Sequence, residues 1–146
     1  MNSNINANTV NEEVHMSEYT IDNPKIVVFY CDFKGKDTFT GVVKDEGGAI
    51  AHYVDGKYHR ENEPAIMYLD GSNFWHLNGK LHRTDGPALE WLGNKQWHLN
   101  SKLHRTDGPA IEHADGRKGW WFNGKIYGEN GDFTNESWIA HVATLT

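Results

Sequence analysis

Asn78-Gly-Lys-Leu-His-Arg-Thr-Asp-Gly-Pro-Ala88 returns almost letter for letter as Asn100-Ser-Lys-Leu-His-Arg-Thr-Asp-Gly-Pro-Ala110. Upstream lies a looser copy, Asp55-Gly-Lys-Tyr-His-Arg-Glu-Asn-Glu-Pro-Ala65, and downstream a decayed one, Asn123-Gly-Lys-Ile-Tyr-Gly-Glu-Asn-Gly-Asp-Phe133. His59, His82 and His104 are 23 and 22 residues apart, as are Pro64, Pro87 and Pro109, while Asn78, Asn100 and Asn123 are 22 and 23 apart. Residues 41–58 align back from Asp55 as a first, eroded copy. Units of this length cannot bury an apolar face alone, so they must stack in series.

Each unit reads as a strand after Pro-Ala, a Gly turn, a strand through Trp, an Asn-Gly-type turn and a short Lys-Leu-His-Arg strand. The spacing changes by one residue where Leu92-Gly-Asn-Lys95 replaces Leu69-Asp-Gly-Ser-Asn73, in a turn that tolerates it. Alternation places Ile66/Tyr68, Leu89/Trp91 and Ile111/His113 on one face, and Trp75/Leu77, Trp97/Leu99 and Trp120/Phe122 on one face of the next strand. The opposite positions are mixed: Met67, Glu90 and Glu112 in one set, His76, His98 and Trp121 in the other. A sheet wet on one side is expected. Before the repeats, strands are expected over Lys25 to Phe33, Thr38 to Val43 and Ala49 to Val54. Turns are expected at 34–37 and 45–48, and a type I′ hairpin at Asp55-Gly56. After Phe133 the period changes. Trp138, Ile139, Val142 and Leu145 form a helical stripe behind Thr134 or Asn135 as N-cap, which predicts a helix capping the end of the stack.

The expected fold class is therefore all-β: tandem antiparallel hairpin units over residues 25–133, a short C-terminal capping helix within 134–146, and a flexible acidic leader over 1–24. In that leader Glu12, Glu13, Glu18 and Asp22 meet no Lys or Arg, so four of the six net negative charges fall there. The body is nearly balanced, which argues against nucleic-acid binding by phosphate neutralisation. The one cysteine, Cys31, excludes an internal disulfide framework and a Cys-based zinc site, and its apolar setting reads as a buried thiol. The first twenty residues lack a basic start and an apolar core, no run is long enough to span a membrane, and a cytoplasmic protein is expected.

Trp75-x-x-Asn-Gly-Lys-x-His82, preceded by Asp70-Gly71 and recurring every 22–23 residues, resembles the MORN repeat family over roughly residues 41–133. It is most similar to divergent MORN-like units with a His-Arg-x-Asp-Gly-Pro-Ala signature, as in uncharacterised phage and bacterial proteins. Arg60, Arg83 and Arg105 stand where the family has Gly, and Tyr127-Gly128 comes nearest the usual form. The resemblance implies a hairpin meander, protein–protein scaffolding and, in some members, lipid contact. None of these roles is tied to a fixed residue.

Candidate binding residues are the His-Arg pairs, His59/Arg60, His82/Arg83 and His104/Arg105, as a row of cations able to grip phosphates or carboxylates. The competing reading pairs Arg83 with Asp85, Arg105 with Asp107 and Arg60 with Glu61 or Glu63, and ranks first because acid and base recur together. Trp91 and Trp121 break the pattern and are candidate partner contacts, whereas the repeated Trp75, Trp97 and Trp120 read as core. The nine histidines form no recognised ligand spacing, so no metal, no cofactor and no catalytic group is assigned. A protein partner is expected first, with a small anionic ligand such as a nucleotide as the alternative. Membrane contact lacks a polybasic segment, and open sheet edges leave a homo-oligomer open. An effector that blocks or sequesters a host factor is the reading by analogy.

Overall fold

Asx-Gly pairs set the frame. In the computed structural model, which describes residues 26–28, 38–45 and 47–146, Asp55 and Gly56 have φ of 47° and 71°, Asn78 and Gly79 51° and 79°, and Asn123 and Gly124 50° and 81°. Both central residues are left-handed, as a type I′ turn demands, and Asn100-Ser101 adopts the same shape at 51° and 64°. The leader and most of Lys25–Phe33, including Cys31, lie outside the described residues.

The described residues form fifteen strands and one helix: β1 Ile26–Val28, β2 Gly41–Lys44, β3 Ile50–Val54, β4 Lys57–Tyr58, β5 Ile66–Met67, β6 Asn73–Phe74, β7 His76–Leu77, β8 Lys80–Leu81, β9 Leu89–Trp91, β10 Asn94–Gln96, β11 His98–Leu99, β12 Lys102–Leu103, β13 Ile111–Glu112, β14 Lys118–Phe122, β15 Lys125–Glu129 and α1 Asn135–Ala143. The main sheet runs β1-β2-β3-β5-β6-β9-β10-β13-β14-β15, with β4 on β3, while β7-β8 and β11-β12 are separate hairpins. β1 joins β2 in parallel. Every other pairing among the described residues is antiparallel. The protein is thus an all-β meander of antiparallel hairpins closed by a short C-terminal helix.

The expected strand through Trp is continuous at Trp120, within Lys118–Phe122, but broken at Trp75 and Trp97. β6 ends at Phe74 and β7 starts at His76; β10 ends at Gln96 and β11 starts at His98. The backbone explains the break. Trp75 donates its N–H to the Ala88 carbonyl (2.8 Å) and accepts from the His82 N–H (3.0 Å), so it joins a loop rather than a ladder. Trp97 does the same with Ala110 (2.9 Å) and His104 (3.0 Å), and His52 with Ala65 (2.7 Å) and His59 (3.0 Å). The last bonds repeat the pattern in the eroded first copy. At Trp75 and Trp97 the chain leaves the main sheet and enters a side hairpin, whereas His52 stays within β3, whose hairpin partner β4 belongs to the main sheet. Strand β2 also starts later than expected: Thr38–Thr40 lie outside it, with the Thr40 hydroxyl and the Phe39 carbonyl accepting the Asp55 and Gly56 N–H groups.

Register sorts the faces. Ala51, Ile66, Phe74, Leu89, Gln96 and Ile111 face one another in sequence across the sheet. The adjacent row runs Met67, Asn73, Glu90, Lys95, Glu112, Lys118, so its second half alternates charge across neighbouring strands. The core concentrates at two ends: Phe39, Val43 and Tyr53 in one cluster, Trp120, Phe122, Trp138 and Val142 in the other. Between them Ala65, Ala88 and Ala110 are wholly buried.

Thr134 caps α1 through a reciprocal capping box with Ser137. The buried stripe is narrower than expected. Trp138 and Val142, four apart, face the sheet, whereas Ile139 and Leu145 are exposed. No helix among the described residues is long and apolar enough to cross a membrane.

Candidate binding edges

The three expected histidines are pins between units. The Nδ1 of His59 accepts the Asn78 backbone N–H (3.1 Å), that of His82 accepts from Asn100 (3.3 Å), and that of His104 accepts from Asn123 (3.2 Å). The same Nδ1 atoms lie 3.0, 3.2 and 2.8 Å from the side-chain Oδ1 of Asn78, Asn100 and Asn123, so each ring meets both the backbone and the side chain of one asparagine. Each ring thereby braces the first residue of the next unit's type I′ turn.

The three arginines turn inward. The Arg83 guanidinium lies over the Trp75 ring at 4.1 Å and that of Arg105 over Trp97 at 3.9 Å. Arg83 donates Nε to Asp85 (2.7 Å) and Nη1 to the Pro87 carbonyl (3.3 Å). Arg105 donates Nε to Asp107 (2.8 Å) and Nη1 to the Pro109 carbonyl (3.2 Å) and to Glu112 (2.8 Å). In the first unit His52 stands where the others carry Trp, and Arg60 donates Nη1 to its Nε2 at 3.1 Å while pairing with Glu63. Burial first, and the Arg60 charge second, push His52 down to about 4. Its neutral ring therefore accepts from the guanidinium that elsewhere stacks on indole. The hydrogen bond from Arg83 holds the Asp85 carboxyl below the usual range. The acid–base pairing within each unit expected from the sequence is present, and the free guanidiniums that an anion site requires are not found here.

Sequence reasoning missed the stacking and the pins. Their signal was fixed spacing: His52–Arg60, Trp75–Arg83 and Trp97–Arg105 are each eight apart, and the His–Asn separations are 19, 18 and 19. Eight residues past Trp120 stands Gly128, where an added Cβ would meet Asp132 at 2.8 Å and the Phe133 ring at 3.0 Å. Trp138 packs against Trp120 there, at 5.5 Å between centroids, and donates Nε1–H to the Arg105 carbonyl (3.0 Å). The helix takes the space that arginine fills in earlier units.

His76 and His98 lie on β7 and β11, and burial lowers both below the ordinary imidazole range. Among the described residues no group of three or more His, Cys, Asp or Glu is placed to hold a metal.

The two unrepeated tryptophans differ. Trp121 is half-buried opposite Ile126, with its Nε1 3.1 Å from where a Cβ on Gly119 would stand, so its ring lies over that glycine. Trp91 is 50% exposed at the tip of the β9–β10 hairpin, beside Leu92 at 62%. On the neighbouring β5–β6 turn, Tyr68 and Leu69 are 41% and 80% exposed. Strands β6 and β9 pair, so these two exposed apolar tips lie at the same edge of the sheet. Leu92 holds φ of 46° as the first central residue of a two-residue turn, a conformation disfavoured for a leucine.

At the opposite ends of the same strands lie two like clefts, of about 350 Å³ over Trp75 and Leu77 and about 430 Å³ over Trp97 and Leu99. The Arg83–Asp85 loop lines both. Comparison with family models, curated proteins and solved structures gives no match.

Proposed function

We propose that this is a non-enzymatic, MORN-like scaffold that binds another protein through the turn edge of its sheet. The observation that supports it is the pair of tips carrying Tyr68, Leu69, Trp91 and Leu92, four large apolar side chains exposed on turns at the same edge. A tryptophan flanked by a strained leucine is the kind of tip that carries binding energy. The wider reading, by analogy with phage and bacterial units of similar sequence, is a cytoplasmic phage-encoded effector that blocks or sequesters a host factor. The alternative, a small anion held by the His-Arg pairs, loses support because the guanidiniums already carry carboxylates.

The test is capture from bacterial lysate by the intact protein, by Trp91→Ala and by Leu92→Asn, each checked for fold by circular dichroism. The expected result is a specific protein retained by the intact chain and lost from both variants. Retention by both would remove the turn edge from the reading, and no enriched protein at all would overturn it.

A further inference from the structure

We infer that the two clefts on the His-Arg edge are paired sockets for an extended, proline-rich peptide carrying a basic residue at every third position. This concerns the edge opposite those turn tips and goes beyond the protein-binding reading above. Three observations carry it: the period of the clefts, their lining and the arrangement of their charges.

The clefts are equivalent places one unit apart. Trp75 and Leu77 lie in the first, Trp97 and Leu99 in the second, with Asp85 and Asp107 in corresponding positions. One unit adds two strands to the main sheet, which at the usual inter-strand spacing is about 9.5 Å. A polyproline II helix returns to the same face every three residues, about 9.3 Å. A β-strand returns every two residues, about 6.7 Å, and misses the second cleft. An α-helix returns after two turns at about 10.8 Å, and its width of about 10 Å would bridge the clefts instead of entering them.

The charges are layered. Side chains of Arg83 and Arg105 are 23% and 17% exposed, while those of Asp85 and Asp107 are 79% and 72% exposed. The guanidiniums are thus spent on indole rings, carbonyls and carboxylates, and the outer layer of each loop is carboxylate. Glu61 adds another acid to the first cleft. A lysine or arginine can lay its aliphatic stem on Leu77 or Leu99 and bring its charged head to Asp85 or Asp107. An acidic side chain in the same place would meet those carboxylates. A proline-rich backbone is already extended, so ordering it on binding costs little.

The experiment is titration calorimetry of the intact protein with three synthetic peptides, (Pro-Pro-Lys)3, (Pro-Pro-Glu)3 and (Pro-Pro-Pro-Lys)3, with tryptophan fluorescence as a second readout. The first peptide is expected to bind one-to-one and about tenfold or more tighter than the other two. The Asp85→Asn, Asp107→Asn double variant should weaken it at least about fivefold. Equal affinity for the four-residue spacing, binding of the Glu peptide, or no binding of (Pro-Pro-Lys)3 up to about 5 mM would each overturn the inference. The spacing series uses the unmodified chain, so it stands even if the double variant folds poorly. Capture through Trp91 is measured separately, so either reading can fail without the other.

Discussion

Each arginine of the repeat makes several contacts with one planar group. Arg105 covers Trp97 while donating to Asp107, Glu112 and a carbonyl. Lysine has the charge but neither the plane nor the fork of donors. Arg105→Lys is therefore expected to cost about 1–2 kcal/mol in chemical denaturation, a loss of stacking and bonding without loss of charge. The buried histidines set the pH response. An unfolded histidine binds its proton near 6.5, whereas His52 in the fold does so only near 4. Between those values the unfolded chain holds more protons, so stability rises with pH across the window and falls on acidification. His76 and His98, lowered by burial, act in the same direction. Asp70, Asp85 and Asp115, held low by hydrogen bonds from Ser72, Arg83 and Arg117, act only in more acid solution. The urea midpoint should be level above pH 6.5 and decline from there towards 4. His52→Phe, which offers Arg60 an aromatic face, should flatten part of that decline. A variant with the same slope as the parent would remove His52 from the account.

At the scale of the element, the turns divide into those that fit their residues and one that does not. Asn-Gly and Asp-Gly occupy left-handed positions readily. Leu92 occupies one at φ of 46° without that ease. Leu92→Asn should stabilise the fold by about 1 kcal/mol, read as a higher urea midpoint, while removing an exposed contact. A gain in stability paired with a loss of partner capture would separate the tip's role from folding. The turns were legible in the sequence because Asx-Gly chemistry is local. So was the helix, since a capping residue and an apolar pair four apart need no distant information. The break at Trp75 and Trp97 was not legible. It depends on carbonyls of Ala88 and Ala110, thirteen residues further on in each case, and no local preference reports a partner at that distance. The same limit hid the inward turn of Arg83 and Arg105, which short-range pairing described only in part. Gly128 is the instructive exception to the repeat. Restoring arginine there would match the other units by sequence but would drive a side chain into Asp132 and Phe133. Gly128→Arg should cost more than about 2 kcal/mol and loosen α1, seen as lost helical signal.

The whole molecule is a row of units in which each depends on its neighbours. Carbonyls of His76, His98 and Trp121 accept the N–H groups of Arg60, Arg83 and Arg105, linking every unit to the next. Such a row is most vulnerable at its ends, where one neighbour is missing. At the C-terminal end Trp138 supplies the missing neighbour. It is fully buried, packs against Trp120, Tyr127 and Phe133, and bonds the Arg105 carbonyl. Trp138→Ala removes that packing and leaves the carbonyl without its donor, so a cost of about 3–5 kcal/mol is expected. Its distribution matters more than its size. In a linear array the loss should fall on the nearest units and fade with distance, because Phe39, Val43 and Tyr53 form a separate cluster at the far end. Hydrogen exchange should therefore quicken strongly in β14 and β15, less in β10–β13, and least in β2 and β3. Uniform quickening along the chain would mean that the sheet unfolds as one cooperative block, with α1 acting on all units at once instead of protecting the last.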